Sequence, residues 1–418
     1  MDRLYIPNYS AVLPGTEDAI WVYNGKGPNK LEAKTSAILE AIERYSSLPS
    51  SYPRSFIQGT YRELAKSYNK VLHPAEVVEP VNFVDDGKDT IMDFLLGFDL
   101  LSNEEVLVPA EIALYRYLPK APAVCAFSCS HTNGLASGSV YEESIFHAIC
   151  EVIERDAASI ADLCASSIPY NILRNLTRLL EKETGRYVIS RNAGEKFVDD
   201  SSIFPDVDIS EIANEFEPIK ILVKKFVDAG MNLLIKDITQ RDIGIPTFVA
   251  SSIEWITHDY GYFAKGFGTH PDARIALIRA ITEMSQTRAA NIQGARDDLK
   301  KIRYQQNDDI IKRKWQFIPA SLSPLRTQEN KKNNNIVKFS DIKSYTSKEI
   351  LSDIKHIIRG LKNAGLRRVI IVDLTSPNIG IPTVRAIVPG LETFEVTKTI
   401  MGGRAKKYFK NLYDCHRG

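Results

Sequence analysis

A stretch near the middle of this chain returns near its end. Residues 226–250, FVDAGMNLLIKDITQRDIGIPTFVA, resemble residues 361–387, LKNAGLRRVIIVDLTSPNIGIPTVRAI. Asp237 falls on Asp373, and the string IGIPT recurs at 243–247 and 379–383. Each copy reads as a helix end, a glycine turn at Gly230 or Gly365, a buried strand, a loop and a second strand. Two copies are too few for a solenoid, so the chain is expected to arrange duplicated α/β building blocks around one mixed sheet. Asp237 and Asp373 read as turn residues at strand ends rather than as catalytic groups.

Length and charge narrow the rest. The 418 residues suffice for two or three packed units or for one large α/β unit. Lys+Arg 53 against Asp+Glu 52 leaves a net charge of +1, so no basic excess drives nonspecific nucleic-acid binding. The most apolar stretch, 91–101, is interrupted by Asp93 and Asp99, so no membrane span is expected. The start, MDRLYIPNYS, has no apolar signal core, and five unevenly spaced cysteines make no disulfide scaffold. A cytoplasmic location is expected.

Helical periodicity runs over about Lys30 to Tyr45, Tyr141 to Ala165 and Asp272 to Ile292. The polar faces of these helices are informative. Ser36, Glu40 and Glu43 fall at about 0°, 40° and 340° on a helical wheel, a narrow stripe, with Ala37, Ile38, Ala41 and Ile42 packing elsewhere. Glu143, His147, Glu151 and Glu154 share an arc of about 80°, with Arg155 beside it. Arg279, Glu283 and Gln286 share a third stripe, and Arg288 projects from the opposite side. A solvated acidic face is the plain reading of one such stripe. Yet these helices are otherwise apolar, and their i,i+4 neighbours are acids or His rather than Glu–Lys pairs. Two carboxylates about 5 Å apart repel by roughly 3 kcal/mol at an effective dielectric of 20. Hard divalent cations offset that, and Mg²⁺ commonly brings nucleotide phosphates with it. No phosphate loop accompanies them: G-K-G-P-N-K (25–30) lacks the required spacing. A bound ATP would therefore be held through Mg²⁺, with Arg155 and Arg279 available to phosphate.

These residues carry a family resemblance. S-x-x-x-E-x-x-E-R at 36–44 resembles the first ATP-binding signature of the YcaO family, and 132–156, from T-N-G-L-A-S-G-S to E-x-x-E-R-D, the second. G-F-G-T-H-P-D through E-x-x-Q (266–286) resembles the third, and V-P-G-L-E (388–392) the closing segment. The resemblance implies an α/β fold with duplicated units and mixed sheets, an ATP site between helices, and one catalytic unit over 1–395 followed by a basic tail. It implies ATP-dependent activation of a peptide amide, in which a nucleophile adds to the carbonyl and the oxygen leaves as phosphate. Glu40, Glu43, Glu151 and Glu154 would hold Mg²⁺, Arg155 and Arg279 would touch phosphate, and Glu283 would complete the shell. Lys26, Ser36, Glu143 and His147 would border the nucleotide. Ser139 stands where many members have Asn, and His147 where Gln is common.

The chain lacks the proline-rich carboxy terminus of azoline-forming members and ends N-L-Y-D-C-H-R-G. It resembles instead the stand-alone thioamide-forming branch, in which external sulfide attacks and a TfuA-type protein assists. The substrate that this branch suggests is a backbone glycine of methyl-coenzyme M reductase, converted to thioglycine. A homodimer is expected by the same resemblance. An azoline-forming cyclodehydratase and a non-catalytic ATP-binding adaptor are the alternatives. Cys125, Cys129 and His131 lack the further ligand of a zinc site, so the two thiols read as small buried groups, and the tail after Phe394 reads as a solvated surface helix.

Overall fold

The first chain reversal is a hairpin of β1 (Asn8–Thr16) and β2 (Ala19–Lys26), with Val12 opposite Val22. Helix α1 (Lys30–Ser46) follows, its start fixed by Asn29, whose side chain accepts the Glu32 N–H. In this computed structural model the described residues are 2–16, 19–68, 70–77, 90–124, 131–165, 204–252, 264–293, 336–393 and 402–407. Cys125, Cys129, Cys415 and the polar segment 327–335 lie outside them.

Further along come β3 (Ile57–Thr60), β4 (Ile91–Asp99), β5 (Glu104–Pro109), β6 (Leu135–Ser137) and the long helix α2 (Tyr141–Ala165). Then follow β7 (Asp206–Asp208), α3 (Glu217–Asp228), β8 (Leu234–Asp237), β9 (Thr247–Ser252), β10 (Ala264–Thr269) and α4 (Ala273–Gln293). The last elements are β11 (Ile336–Lys338), α5 (Ile350–Asn363), β12 (Ile370–Asp373) and β13 (Thr383–Ile387). One sheet runs β10-β9-β8-β7-β11, antiparallel except for the parallel pair β7–β11. The other runs β3-β4-β12-β13-β6 with β5 on the opposite edge of β4, antiparallel throughout.

The repeat is real to the level of single hydrogen bonds. Asp237 Oδ1 accepts the Thr239 N–H at 2.9 Å, and Asp373 Oδ1 accepts the Thr375 N–H at 2.9 Å. The Thr247 N–H donates to Thr239 Oγ1 at 3.0 Å, and that of Thr383 to Thr375 Oγ1 at 3.1 Å. Both aspartates are thus turn formers. Gly230 and Gly365 sit at φ 64° and 82°, the left-handed conformation that ends α3 and α5. The expectation of one sheet is corrected: β8–β9 belong to the five-stranded sheet and β12–β13 to the six-stranded one. Each unit carries its own pairing edges, and each edge found different partners.

Helix α2 is shared between the two sheets. Its first half, with Ile145, Ile149 and Ile153, packs with Val384 and Ala386 of β13 and with α5. Its second half, with Ala157, Ala158 and Ala161, packs with Val249 and Phe267 of β9 and β10. Ile38, expected to pack, is 57% exposed; α1 instead buries the narrow row Ala33, Ala37 and Ala41. Small residues are needed there because helix and strand nearly touch. A Cβ on Gly25 of β2 would stand 2.0 Å from the Ala37 nitrogen, and one on Gly266 of β10 would stand 2.0 Å from the Met284 nitrogen. Both obstacles are backbone. Gly266→Ala is therefore expected to cost about 3 kcal/mol or more in urea denaturation, because α4 must lift off β10. A loss under 1 kcal/mol would contradict this packing.

Among the described residues no helix is long and apolar enough to cross a membrane.

Candidate functional site

The three acid-bearing helices are drawn together by the strands beneath them. Helix α1 lies on β2 and is tied to β6 by the Ser137 hydroxyl, which donates to the Leu39 carbonyl at 2.7 Å. Helix α4 lies on β10 and reaches β2, where Gln286 donates to the Asn24 carbonyl. Helix α2 contacts both β6 and β10. The stripes on the three helices consequently face one another.

Their charges show the convergence. Glu154, 4% exposed, is pushed up to about 7 by burial and then by the charge of Glu283 on α4. Burial, with the charges of Glu151 and Glu40 adding to it, raises Glu43 well above the usual carboxylate range. Burial also raises Glu40, against Arg44 and Lys26, with Glu151 adding to the rise. Burial would raise Glu283 too, but the charges of Lys26 and Arg155 outweigh it and hold that carboxyl down. Lys26 forms an ion pair with Glu283, whose other oxygen accepts the Phe267 N–H at 3.1 Å. The Lys26 N–H in turn donates to Ser36 Oγ at 3.4 Å.

At the start of α2, Glu143 accepts the backbone N–H of Ser139 at 2.7 Å and its hydroxyl at 2.5 Å. The neighbouring His147 ring and then the hydrogen bonds from Ser139 hold Glu143 down at about 2. The Ser139 hydroxyl is therefore occupied in fastening the helix end. His147 Nδ1 lies 3.3 Å from Arg279 Nη1. A guanidinium only donates, so Nδ1 accepts and the ring proton sits on Nε2, facing Glu143 Oε1 at 3.8 Å. Burial lowers His147, which keeps the ring neutral. Arg155 is about half exposed and 3.9 Å from Glu151. The Nε of Arg279 is buried and has no hydrogen-bond partner among the described residues. As expected, Arg288 points the other way, to Asp2 at 2.8 Å.

The four metal candidates do not make a finished cage. Among the described residues, no three of His, Cys, Asp or Glu converge closely enough to hold an ion. Glu40 and Glu43 instead face Arg44, at 3.6 and 3.4 Å. Arg44 was not singled out from the sequence, although it stands in the E-x-x-E-R string and i,i+4 spacing from Glu40 was the available signal. Arg385 of β13 was also missed. It is 1% exposed, donates to the His131 carbonyl and Nδ1 at 2.9 Å each, and its charge acts on Glu43. Cys150 is buried, and burial pushes its thiol up to about 12, so it is no nucleophile at neutral pH. Residues 402–407 of the tail are not a free surface helix: Ala405 is fully buried and Arg404 is paired with Asp156.

The profile of the YcaO cyclodehydratase family, described as ATP- and Mg²⁺-binding, matches residues 24–392. An uncharacterized protein of Methanothermobacter thermautotrophicus is 30% identical over 417 residues, 97% of this chain and 91% of its own length. A Rhizobium leguminosarum bv. trifolii protein, described as uncharacterized and in the tfuA 3′ region, is 27% identical over 401 residues, 94% of this chain and 81% of its own. Among solved structures, a YcaO from Methanopyrus kandleri, described as bound with AMPPCP and Mg²⁺, superposes with a TM-score of 0.62 at 18% identity, covering 96% of this chain and 91% of that one. A heterocyclase in complex with substrate and cofactor gives 0.64 at 20% identity; 89% of this chain is covered but only 45% of that one. These two likenesses establish the fold.

Mg²⁺ and nucleotide phosphate fit the residues present. Buried carboxylates that repel one another gain from a divalent cation, and the buried, unused Nε of Arg279 gains from an anionic oxygen.

Proposed function

We propose a reaction for this chain from one premise: it belongs to the YcaO family, whose members bind ATP and Mg²⁺. The reaction is ATP-dependent thioamidation of a peptide backbone. Hydrosulfide adds to an amide carbonyl carbon, and the oxygen so charged attacks the terminal phosphorus of ATP, releasing ADP. The C–O bond then breaks as phosphate departs, and C=S forms with loss of the S–H proton. Oxide is a very poor leaving group and phosphate a good one, which is why ATP is consumed.

In this reading Glu40, Glu43, Glu151 and Glu154 hold Mg²⁺, which when bound neutralises phosphate charge. Arg279 and Arg155 orient the phosphates, neutral His147 keeps the Arg279 guanidinium in place, and Lys26 with Ser36 fixes the β2 end against α4 through Glu283. The observation that carries ATP and Mg²⁺ is the mutual repulsion of acids from three helices. The sulfide branch is supported by the relative in the tfuA 3′ region, which aligns with 94% of this chain. A TfuA-type protein is the corresponding sulfur-delivery partner, a glycine of methyl-coenzyme M reductase the substrate, and a homodimer the assembly.

Incubation with ATP, Mg²⁺, sulfide, the TfuA-type partner and a glycine-containing reductase peptide is expected to add about 16 Da, sulfur replacing oxygen, with one ATP hydrolysed per turnover. The likeness to a heterocyclase supports a second reading, azoline formation. That reading requires loss of water from a Cys, Ser or Thr peptide without sulfide. No mass change in either assay, with ATP bound but unspent in wild type and Glu151→Gln alike, would leave a nucleotide-binding adaptor.

A further inference from the structure

Two segments that the mechanism does not use meet behind α2. Glu392, in the closing V-P-G-L-E string, is fully buried, and its two oxygens accept the backbone N–H groups of Gly402 and Ala405, each at 2.8 Å. Its own N–H donates to Asp156 Oδ1 at 2.9 Å. Asp156 is fully buried on α2 and also accepts from Arg404 Nε, at 3.0 Å to Oδ1 and 3.2 Å to Oδ2. The other arm of Arg404 forks onto Asp242, Nη1 to Oδ2 at 2.8 Å and Nη2 to Oδ1 at 3.1 Å. Asp242 stands in the loop between β8 and β9, the turn of the first repeat copy. One guanidinium thus joins the carboxy-terminal segment, the long helix and the repeat loop.

The place on the helix matters. Asp156 follows Glu154 by two residues, about 200° around α2, so the acid that faces the other helices and the acid held by Arg404 lie on nearly opposite sides. Fixing Asp156 fixes the rotation of the helix, and with it the direction of Glu151 and Glu154. An unpaired carboxylate buried there is destabilising, and a shift of Asp156 toward solvent would turn the segment that carries Glu154.

We propose that Arg404 is a positioning residue: by holding Asp156 from behind, the carboxy-terminal segment keeps α2 in the rotation that aims Glu151 and Glu154 at the nucleotide site, without touching any ligand. This rests on the reading of those acids as the Mg·ATP site. A displacement of about 1 Å outside a site can cost on the order of a hundredfold in function, so a helix that carries half of the acids is a sensitive place for a latch.

The test compares the full-length wild type with Arg404→Met, Arg404→Lys and the surface control Lys407→Met, well below their melting temperatures. Two quantities are read: the dissociation constant of AMPPCP with Mg²⁺ by calorimetry, and amide hydrogen exchange of residues 148–158. Arg404→Met is expected to weaken binding about tenfold or more and to speed exchange in that segment. Arg404→Lys, which keeps a charge against Asp156 but loses the fork, should fall between, and Lys407→Met should match wild type. A lower melting temperature in Arg404→Met with unchanged binding and unchanged exchange would overturn the proposal, leaving the tail a staple only. If Arg404→Met does not fold, Arg404→Lys decides: wild-type values in both measurements overturn it. If wild type itself binds no Mg·AMPPCP, the reading of the site fails, and the exchange of 148–158 alone decides whether Arg404 holds the helix.

Discussion

Replacing Glu154 with Gln is expected to make the ligand-free protein more stable while removing its ATP turnover. The side chain is 4% exposed and carries its charge against both burial and the carboxylate of Glu283. A folded-state value of about 7 against the ordinary 4.5 of a glutamate means that folding favours the protonated form. The charge therefore costs little below about pH 4.5, costs more as pH rises, and costs its full amount above 7, on the order of 3 kcal/mol. Glu154→Gln should recover most of that at pH 8 and under about 1 kcal/mol at pH 5. Turnover of ATP should fall by about a hundredfold or more at either pH if Glu154 is, as proposed, a ligand of phosphate-bound Mg²⁺. Urea denaturation at the two pH values, beside a phosphate-release assay, checks both halves. A Gln variant no more stable than wild type at pH 8 would mean that Glu154 is compensated in the free protein and not strained.

Arg44→Met should act in the opposite direction. Arg44 lies 3.6 and 3.4 Å from Glu40 and Glu43, and both acids are already raised by burial and by Glu151. Removing this cation leaves two part-buried carboxylates facing a third, with an expected loss of about 3 kcal/mol. Millimolar Mg²⁺ should restore part of it in the variant and add less to wild type, since a divalent ion supplies the missing charge. Denaturation midpoints with and without Mg²⁺ give the answer. A loss under 1 kcal/mol, or no recovery with Mg²⁺, would count against these acids forming a cation-binding set.

Several of these features were readable before any coordinates, and the reason is periodicity. A helix returns every 3.6 residues, so Glu40 with Glu43, and Glu143 with His147 and Glu151, had to share a face wherever the helix lay. The repeat was readable because an Asx turn and a glycine cap need particular residues at particular offsets, and Asp237, Asp373, Gly230 and Gly365 supply them. What stayed hidden depends on partners far away in the chain. Strand β4 is buried on both faces over 92–95 and alternates only after that, and its three partners β3, β5 and β12 cannot be read from it. Strand β10, A-K-G-F-G-T, is not among the expected strands, since glycines weaken a strand signal; they are there because α4 presses against them. Ile38 fell on the open side because α1 turns the row Ala33, Ala37 and Ala41 inward. Arg404 looked like one more basic tail residue, since only the fold brings Asp156 and Asp242 to it. At the site itself, the stripes could say that acids converge but not that Arg44 would stand between two of them.

The central claim is that carboxylates from α1 and α2 meet on one metal-loaded triphosphate. A crystal structure of the chain with Mg²⁺ and a non-hydrolysable ATP analogue tests it most directly. The account predicts phosphate density between α1, α2 and α4, with Mg²⁺ ligated by Glu40, Glu43, Glu151 and Glu154 and with the first two turned away from Arg44. An analogue bound elsewhere, or bound with those four side chains left as they stand in the free protein, would contradict it.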